Sequence, residues 1–247
     1  MTPHEYYQAG QLQQAIQALN QEIKQTPDDV AKRDLLREFL CVAGDLDRAD
    51  KQLDIISEQK PEAQIGVAIQ RQLIRAEQTR QKCLREACLP EFIGEPSSTL
   101  KRHLQALVCL RDGKADEAQQ LLEETDIETP IRDLDDLCAN FLEVLTSHGK
   151  YYWIGFDQIQ SLEFHPPERP VDLLWRRAHL QVQNGPEGDI YIPAIYVDYE
   201  NTQNESAQLG RTTDWYGSPV RGLGQRVLLV GDDAINIMEM TEWHNSN

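Results

Sequence analysis

Apolar positions in the first half of the chain recur every three or four residues, the spacing that gathers them on one face of a helix. In residues 28–42, Leu35, Leu36, Phe39 and Leu40 form one stripe behind a cap at Asp28 or Asp29. Residues 62–89 read as one long helical stretch, or two with a break, with Ile65, Ile69, Leu73 and Ile74 as core positions. Residues 98–111 carry Leu100, Leu104, Leu107, Val108 and Leu110, and Ser97 or Ser98 can start that helix. The same spacing predicts a helix over 131–148, with Leu134, Leu137, Phe141, Leu142 and Leu145 as its apolar face. Asp133, Asp135 and Asp136 would load its amino end, where the helix dipole favours them, and Gly149 would terminate it.

Beyond Gly149 the period shortens. Residues 150–156 and 159–164 read as short strands, the second closed by Pro166-Pro167. Residues 170–182 form a helix-like run that opens on Pro170 and whose last residues could already be strand. Residues 189–197 alternate as a strand does, and Pro193 argues for an edge or a bend. Residues 201–207 are a polar loop. Val227–Val230 is an apolar strand, Gly231-Asp232 a hairpin signal, and Ile235, Ile237 and Met240 suit the returning strand.

Three segments of the first half are alike: 9–29, 43–63 and 112–130. Gly10, Gly44 and Gly113 stand 34 and 69 residues apart, one period and about two. Ala15, Ala49 and Ala118 keep register with them, as do Leu19, Leu53 and Leu122, and Pro27, Pro61 and Pro130. The fourth copy, expected near residue 78, lacks the signature. A period of 34 is that of tetratricopeptide-type helix pairs. In such a pair the glycine permits the turn between helices, and the alanine allows close approach where they cross. The leucine shares the alanine's face, and the proline closes the unit. The chain therefore reads as multidomain, α and α+β. Residues 1–130 form a tetratricopeptide-like helical superhelix. Residues 131–247 form an α+β domain with a partly closed antiparallel sheet. Stacked helix pairs make a scaffold with a groove, which favours binding over catalysis.

Charge sharpens this picture. Among 247 residues, 41 acidic side chains against 24 basic ones give a net charge of -17. Such a surface lacks the basic footprint that phosphate binding needs, so neither nucleic acid nor an anionic membrane is an expected partner; a basic protein surface is. Residues 1–22 show no apolar leader and no run is long enough to cross a bilayer, so the expected compartment is the cytoplasm. The sequon at Asn204-Glu205-Ser206 would then be idle. Cys41, Cys83, Cys88, Cys109 and Cys138 are odd in number and without a short-range framework, which suits a reducing compartment and ordinary thiols.

Candidate chemistry is sparse. Gly217, Gly222 and Gly224 lack the lysine and the strand–helix setting of a phosphate loop. The six histidines form no metal-ligand spacing, Asp232-Asp233 beside Glu239 reads as a solvated turn, and no nucleophile elbow is present. No catalytic residue, cofactor or metal is expected. The notable cluster is Arg211, Asp214, Trp215, Arg221, Gln225 and Arg226, which serves either an interface or the domain's own structure. In the structural reading, Arg211 or Arg221 would pair with Asp214 and Trp215 would cover the core. The alternative is a hydrolase or ligand-binding site in the second domain around Arg211, Asp214 and Asp232.

Several strings carry a resemblance. Residues 141–164, with Tyr151-Tyr152-Trp153, 169–182, with Leu173-Leu174-Trp175-Arg176, and 209–231, with Arg211-x-x-Asp214-Trp215 and Gly222-x-Gly224-Gln225-Arg226, resemble the ImpE family, also called TagJ or SciE. The repeat-bearing front half is similar to it too, so the resemblance covers nearly the whole chain. It implies a cytoplasmic, non-enzymatic accessory protein of the bacterial type VI secretion system. The implied partner is the small subunit of the contractile sheath, bound through a helix at that subunit's amino end. The sheath-recycling AAA+ ATPase would be engaged only indirectly. The resemblance assigns no residue of this chain to the sheath contact.

Overall fold

The computed structural model describes residues 1–86, 88–125, 129–198 and 204–245. Its first part is helical: α1 (Pro3–Gln8), α2 (Leu12–Gln25), α3 (Val30–Val42), α4 (Leu46–Gln59), α5 (Gln64–Arg85), α6 (Ser98–Arg111) and α7 (Ala115–Glu123). Consecutive helices pack as antiparallel neighbours from α1 through α5, and α6 packs on α7. The repeated motifs fall on the pairs α1/α2, α3/α4 and α6/α7. Gly10, Gly44 and Gly113 sit at the turn of each pair with φ of +80°, +75° and +74°, a region that L side chains rarely adopt. Ala15, Ala49 and Ala118 have no exposed surface. A larger side chain there would hold the helices apart. Leu19 and Leu53 are equally buried, whereas Leu122 is only half-buried.

Where the fourth motif is missing, α5 runs on unbroken for 22 residues. It buries Val67, Leu73, Ile74 and Ala76. Ile65, expected in the core, is 79% exposed. It lies two residues before Val67, about 200° away around the helix. Val108 of α6 is likewise exposed, because the buried face of that helix runs through Leu100, His103, Ala106 and Leu107.

The helix expected over 131–148 is absent. Its place is taken by strand β1 (Ile131–Asp133), a single 3-10 turn at Asp136–Cys138 and strand β2 (Phe141–Leu145). All five β2 residues are buried, so the strand shows no polar alternation, and leucines three or four apart imitate a helical stripe. Gly149 does not end a helix; with φ +82° it forms the turn from β2 into β3 (Tyr151–Gly155). Next come β4 (Ile159–Phe164), a 3-10 turn at Pro170–Leu173, and β5 (Trp175–Val182). The helix-like run at 170–182 is therefore one turn followed by an alternating strand, with Trp175, Ala178, Leu180 and Val182 buried.

The chain continues through β6 (Glu187–Pro193), the one-turn α8 (Glu205–Gln208), β7 (Thr213–Tyr216), β8 (Arg221–Gly224), β9 (Val227–Val230), β10 (Asp233–Asn236) and β11 (Glu242–His244). Of the polar loop expected at 201–207, residues 201–203 lie outside the described residues, and the remainder is α8 with its cap, Asn204. An antiparallel six-stranded sheet has the order β11-β4-β5-β6-β2-β3. Strand β6 lies inside it, and Pro193 is its last residue rather than an edge marker. Strands β1, β9 and β10 form a second sheet, and β7 and β8 a hairpin. The β9–β10 hairpin turns at Gly231-Asp232 as expected, but Ile237 and Met240 are core residues beyond the end of β10.

The large sheet packs on both faces. Phe141 and Leu145 of β2, Tyr151 and Trp153 of β3 and Trp175 of β5 join the helices in one continuous apolar core. Leu142, Val144, Ile154, Ala178 and Leu180 point the other way, onto Leu228, Ile237, Met240 and Trp243. The N-terminal region is thus all-helical, the C-terminal region is mixed with antiparallel sheets, and one core runs through both.

Candidate functional site

Charged side chains concentrate where α5 lies on the large sheet. Glu143 faces the helices between Phe141 and Leu145, and only 1% of its surface is exposed. Burying a lone carboxylate is costly, and this one is paired twice. Arg80 of α5 reaches it with Nε at 3.0 Å and Nη2 at 2.9 Å, a bidentate pair. Arg226 reaches it from the segment joining β8 to β9 and also pairs with Asp133 of β1. The Tyr151 hydroxyl donates to Glu143 and accepts from the Trp153 indole. Burial alone would raise the Glu143 carboxyl; Arg80 and Arg226 outweigh it and hold the group down at about 2. Asp133 has less compensation, and burial pushes it up to about 6 despite Arg226 and a 2.6 Å hydrogen bond from the Tyr196 hydroxyl.

The network extends at both ends. Arg80 also pairs with Glu77 at 3.2 Å and donates to the Ile195 carbonyl at 3.1 Å. Trp175 donates its indole hydrogen to Glu77 at 3.3 Å. Arg221 pairs with Asp135 at 2.9 Å, and Asp135 also accepts from the amides of Leu137 and Gly222. Two of the three aspartates expected to load a helix amino end, Asp133 and Asp135, are instead the buried partners of Arg226 and Arg221.

Each expected site residue has a definite place. Arg226 is fully buried and its Nε donates to the Pro193 carbonyl at 3.0 Å. Gln225 donates to the Gly210 carbonyl at 2.8 Å. Arg211 is far from that network: its guanidinium donates to the carbonyls of Tyr7 at 2.6 Å and Gln8 at 2.9 Å, the exposed end of α1. Asp214 is exposed on β7, opposite Leu223. Trp215 is 41% exposed and meets the edge of Tyr196, so it covers the core only in part. Arg221 pairs with Asp135 and Arg211 with backbone carbonyls, in place of the Asp214 pairing suggested by the sequence.

Two further contacts join the regions. Gln11, the residue before α2, makes no side-chain cap, and the Gln13 amide donates to the Glu205 carboxylate at 2.9 Å. With Arg211 on the end of α1, charges of opposite sign thus sit on the helix ends each complements. On α3, Arg37 pairs with Asp34 at 2.7 Å, and Arg169 beside β5 pairs with both Asp34 and Glu38.

One cavity borders the Arg80 network and another lies apart from it. The first, of about 190 Å³, lies between the α3–α4 turn, α5 and residues 195–198. Its charged lining is already engaged: Arg80 as above, and Arg85 on the Asp198 carbonyl at 3.0 Å. Burial raises the Cys41 thiol in its wall to about 12, which leaves it a poor nucleophile at neutral pH. The other, of about 460 Å³, opens on the second face of the large sheet. Val144, Ile154, Leu180 and Ile190 wall it, with Glu187 and Asp189 at its rim. Asp214 and Asp232 line neither cavity, and Asp232 sits exposed in the β9–β10 turn. Among the described residues no group of three or more His, Cys, Asp or Glu could hold a metal ion, and no helix is long and apolar enough to cross a membrane.

Residues 124–244 match the family model described as ImpE protein. The type VI secretion system accessory component TagJ of Pseudomonas aeruginosa is 27% identical over 98% of this chain and 90% of its own length. The crystal structure of protein VPA1032 from Vibrio parahaemolyticus superposes with a TM-score of 0.90 at 26% identity, over 99% of this chain and 97% of that one.

Proposed function

From the family-level match to ImpE- and TagJ-type proteins, we propose that the chain is an accessory protein of a type VI secretion system that binds the small subunit of the contractile sheath. The observation that carries this reading is the alignment with TagJ over 98% of the chain. The bound element would be an amphipathic helix at the amino end of the sheath subunit, with the sheath-recycling AAA+ ATPase engaged only indirectly. The expected setting is the cytoplasm.

Two features of the chain support this reading. The glycine, alanine and proline motifs fit a tetratricopeptide-like stack over residues 1–130, an architecture common in protein recognition, beside an α+β domain over 131–247. The acidic surface favours a partner with basic residues and speeds encounter. We assign the seat of the helix to the 460 Å³ groove on the large sheet, where aliphatic walls would take an apolar anchor and Glu187 would face a basic flank. In this reading Arg221, Gln225 and Arg226 hold the C-terminal region in shape, and exposed Trp215 is available for contact.

The test is co-purification. The intact tagged chain, used whole because one core runs through both regions, is recovered from cells assembling the secretion machine, and bound proteins are identified by mass spectrometry. The small sheath subunit should be enriched, and Glu187→Lys should reduce it. Recovery of the folded chain with no sheath component above background would refute the proposal.

A further inference from the structure

The end of α5 carries a feature that the binding reading does not use. Cys83, fully buried on the last turn, donates its thiol hydrogen to the sulfur of Cys88 across 2.9 Å. Cys88 is half-buried and lies just past the helix. The chain then runs along the edge strand β3: the Glu91 amide donates to the Tyr151 carbonyl at 2.9 Å, and the Trp153 amide to the Glu91 carbonyl at 3.1 Å. Lys150 adds an ion pair to Glu91 at 2.6 Å. This short strap covers an otherwise open sheet edge.

We propose that Cys83 and Cys88 are a redox modification site, closing reversibly to a disulfide that fastens the end of α5 to the strap on β3. The sulfurs are already in contact, and only one is accessible, which sets the order of events. The oxidant is a low-molecular-weight disulfide such as oxidised glutathione. The Cys88 thiolate attacks one of its sulfurs; a Cys88–glutathione bond forms, the glutathione S–S bond breaks, and one glutathione leaves as a thiolate that takes a proton from water. Cys83 then gives its proton to solvent and attacks the Cys88 sulfur, and the second glutathione leaves. Two protein thiols lose two electrons, and one small disulfide becomes two thiols. Burial raises the Cys83 thiol, which slows its attack, but contact with Cys88 makes the step intramolecular. Cys41 and Cys138 are buried, and Cys109, the other half-buried thiol, serves as an internal control.

The test is a thiol count on the full chain after exposure to oxidised glutathione, acid quenching, and alkylation under denaturing conditions. Reduced protein has five thiols. The expected loss is two, leaving three, with a cross-linked peptide joining Cys83 to Cys88 that dithiothreitol reverses. Cys83→Ser, which cannot resolve the intermediate, should instead keep glutathione on Cys88. Retention of all five thiols in the wild type overturns the proposal. So does a wild type that holds glutathione on Cys88 as Cys83→Ser does, or a loss that maps only to Cys109.

Discussion

Arg80 of α5 and Glu143 of β2, 63 residues apart in sequence, meet through two hydrogen bonds of 3.0 and 2.9 Å with almost no exposure to solvent. This contact ties the helices to the sheet, and Arg226 extends it to the second sheet through Asp133.

Replacing Glu143 with Gln leaves two buried guanidinium groups under-compensated. The expected cost is about 3–5 kcal/mol, measured by urea unfolding with Trp153 and Trp175 as fluorophores. Arg80→Met should cost less, since Glu143 keeps Arg226; equal losses would mean the two arginines do not share the carboxylate.

Acid should act through Glu143 in a definite window. Its folded pKa, about 2, lies below the ordinary value of 4.5, so its stabilisation is present above 4.5 and is lost as pH falls from there through 2. The slope approaches about 1.4 kcal/mol per pH unit for one such group. Stability curves of the wild type and Glu143→Gln should converge across that range; parallel curves would contradict the assignment.

His103 should remain neutral well below its usual range. Burial lowers it to about 4, while its Nδ1 holds the Leu137 carbonyl at 2.8 Å. The unfolded chain protonates first, so this histidine removes stability as pH falls from 6.5 to 4. Asp133 does the reverse: raised to about 6, its protonation adds stability as pH falls from 6 to 3.8. The two contributions oppose each other in the wild type. His103→Gln should therefore lose less stability than the wild type on acidification from 6.5 to 4, and an NMR titration of the wild type should find the imidazole midpoint near 4.

Arg211 satisfies carbonyls at the end of α1 from the far side of the sequence. Arg211→Ala should cost about 1 kcal/mol, the scale of a helix-end interaction, and speed amide exchange in residues 3–10. Unchanged exchange there would remove it as a tether.

Trp215, 41% exposed, should tolerate truncation. Trp215→Ala is expected to lower stability by about 1 kcal/mol through its edge contact with Tyr196 and leave the fold intact, as circular dichroism would report. Collapse of the fold would mean that the residue is structural.

The helical region was largely legible because local rules govern it. A left-handed turn requires glycine, a helix crossing requires alanine, and both recur at Gly10/Ala15, Gly44/Ala49 and Gly113/Ala118. The segment 131–148 imitates a helix because β2 is buried on both faces, which erases the alternation that marks a strand. The buried network was hidden for a related reason. Asp133 and Arg226, or Arg80 and Glu143, meet only through tertiary contacts, and nothing local links their positions. Arg221 and Arg226 did stand out as candidates. The three aspartates near residue 135 and two arginines near residue 224 were the available signal for their partners, in a chain where arginine is scarce beside acid.

The central claim, sheath binding by an amphipathic helix, is tested most directly by isothermal titration of the intact chain with a peptide spanning the amino-terminal helix of the small sheath subunit, against a scrambled control. Saturable binding with a Kd in the micromolar range, about -8 kcal/mol, is expected for the native peptide alone. Absence of heat and of competition with the full-length subunit at about 50 μM peptide, a level that would reveal even ~6 kcal/mol of binding, would contradict it.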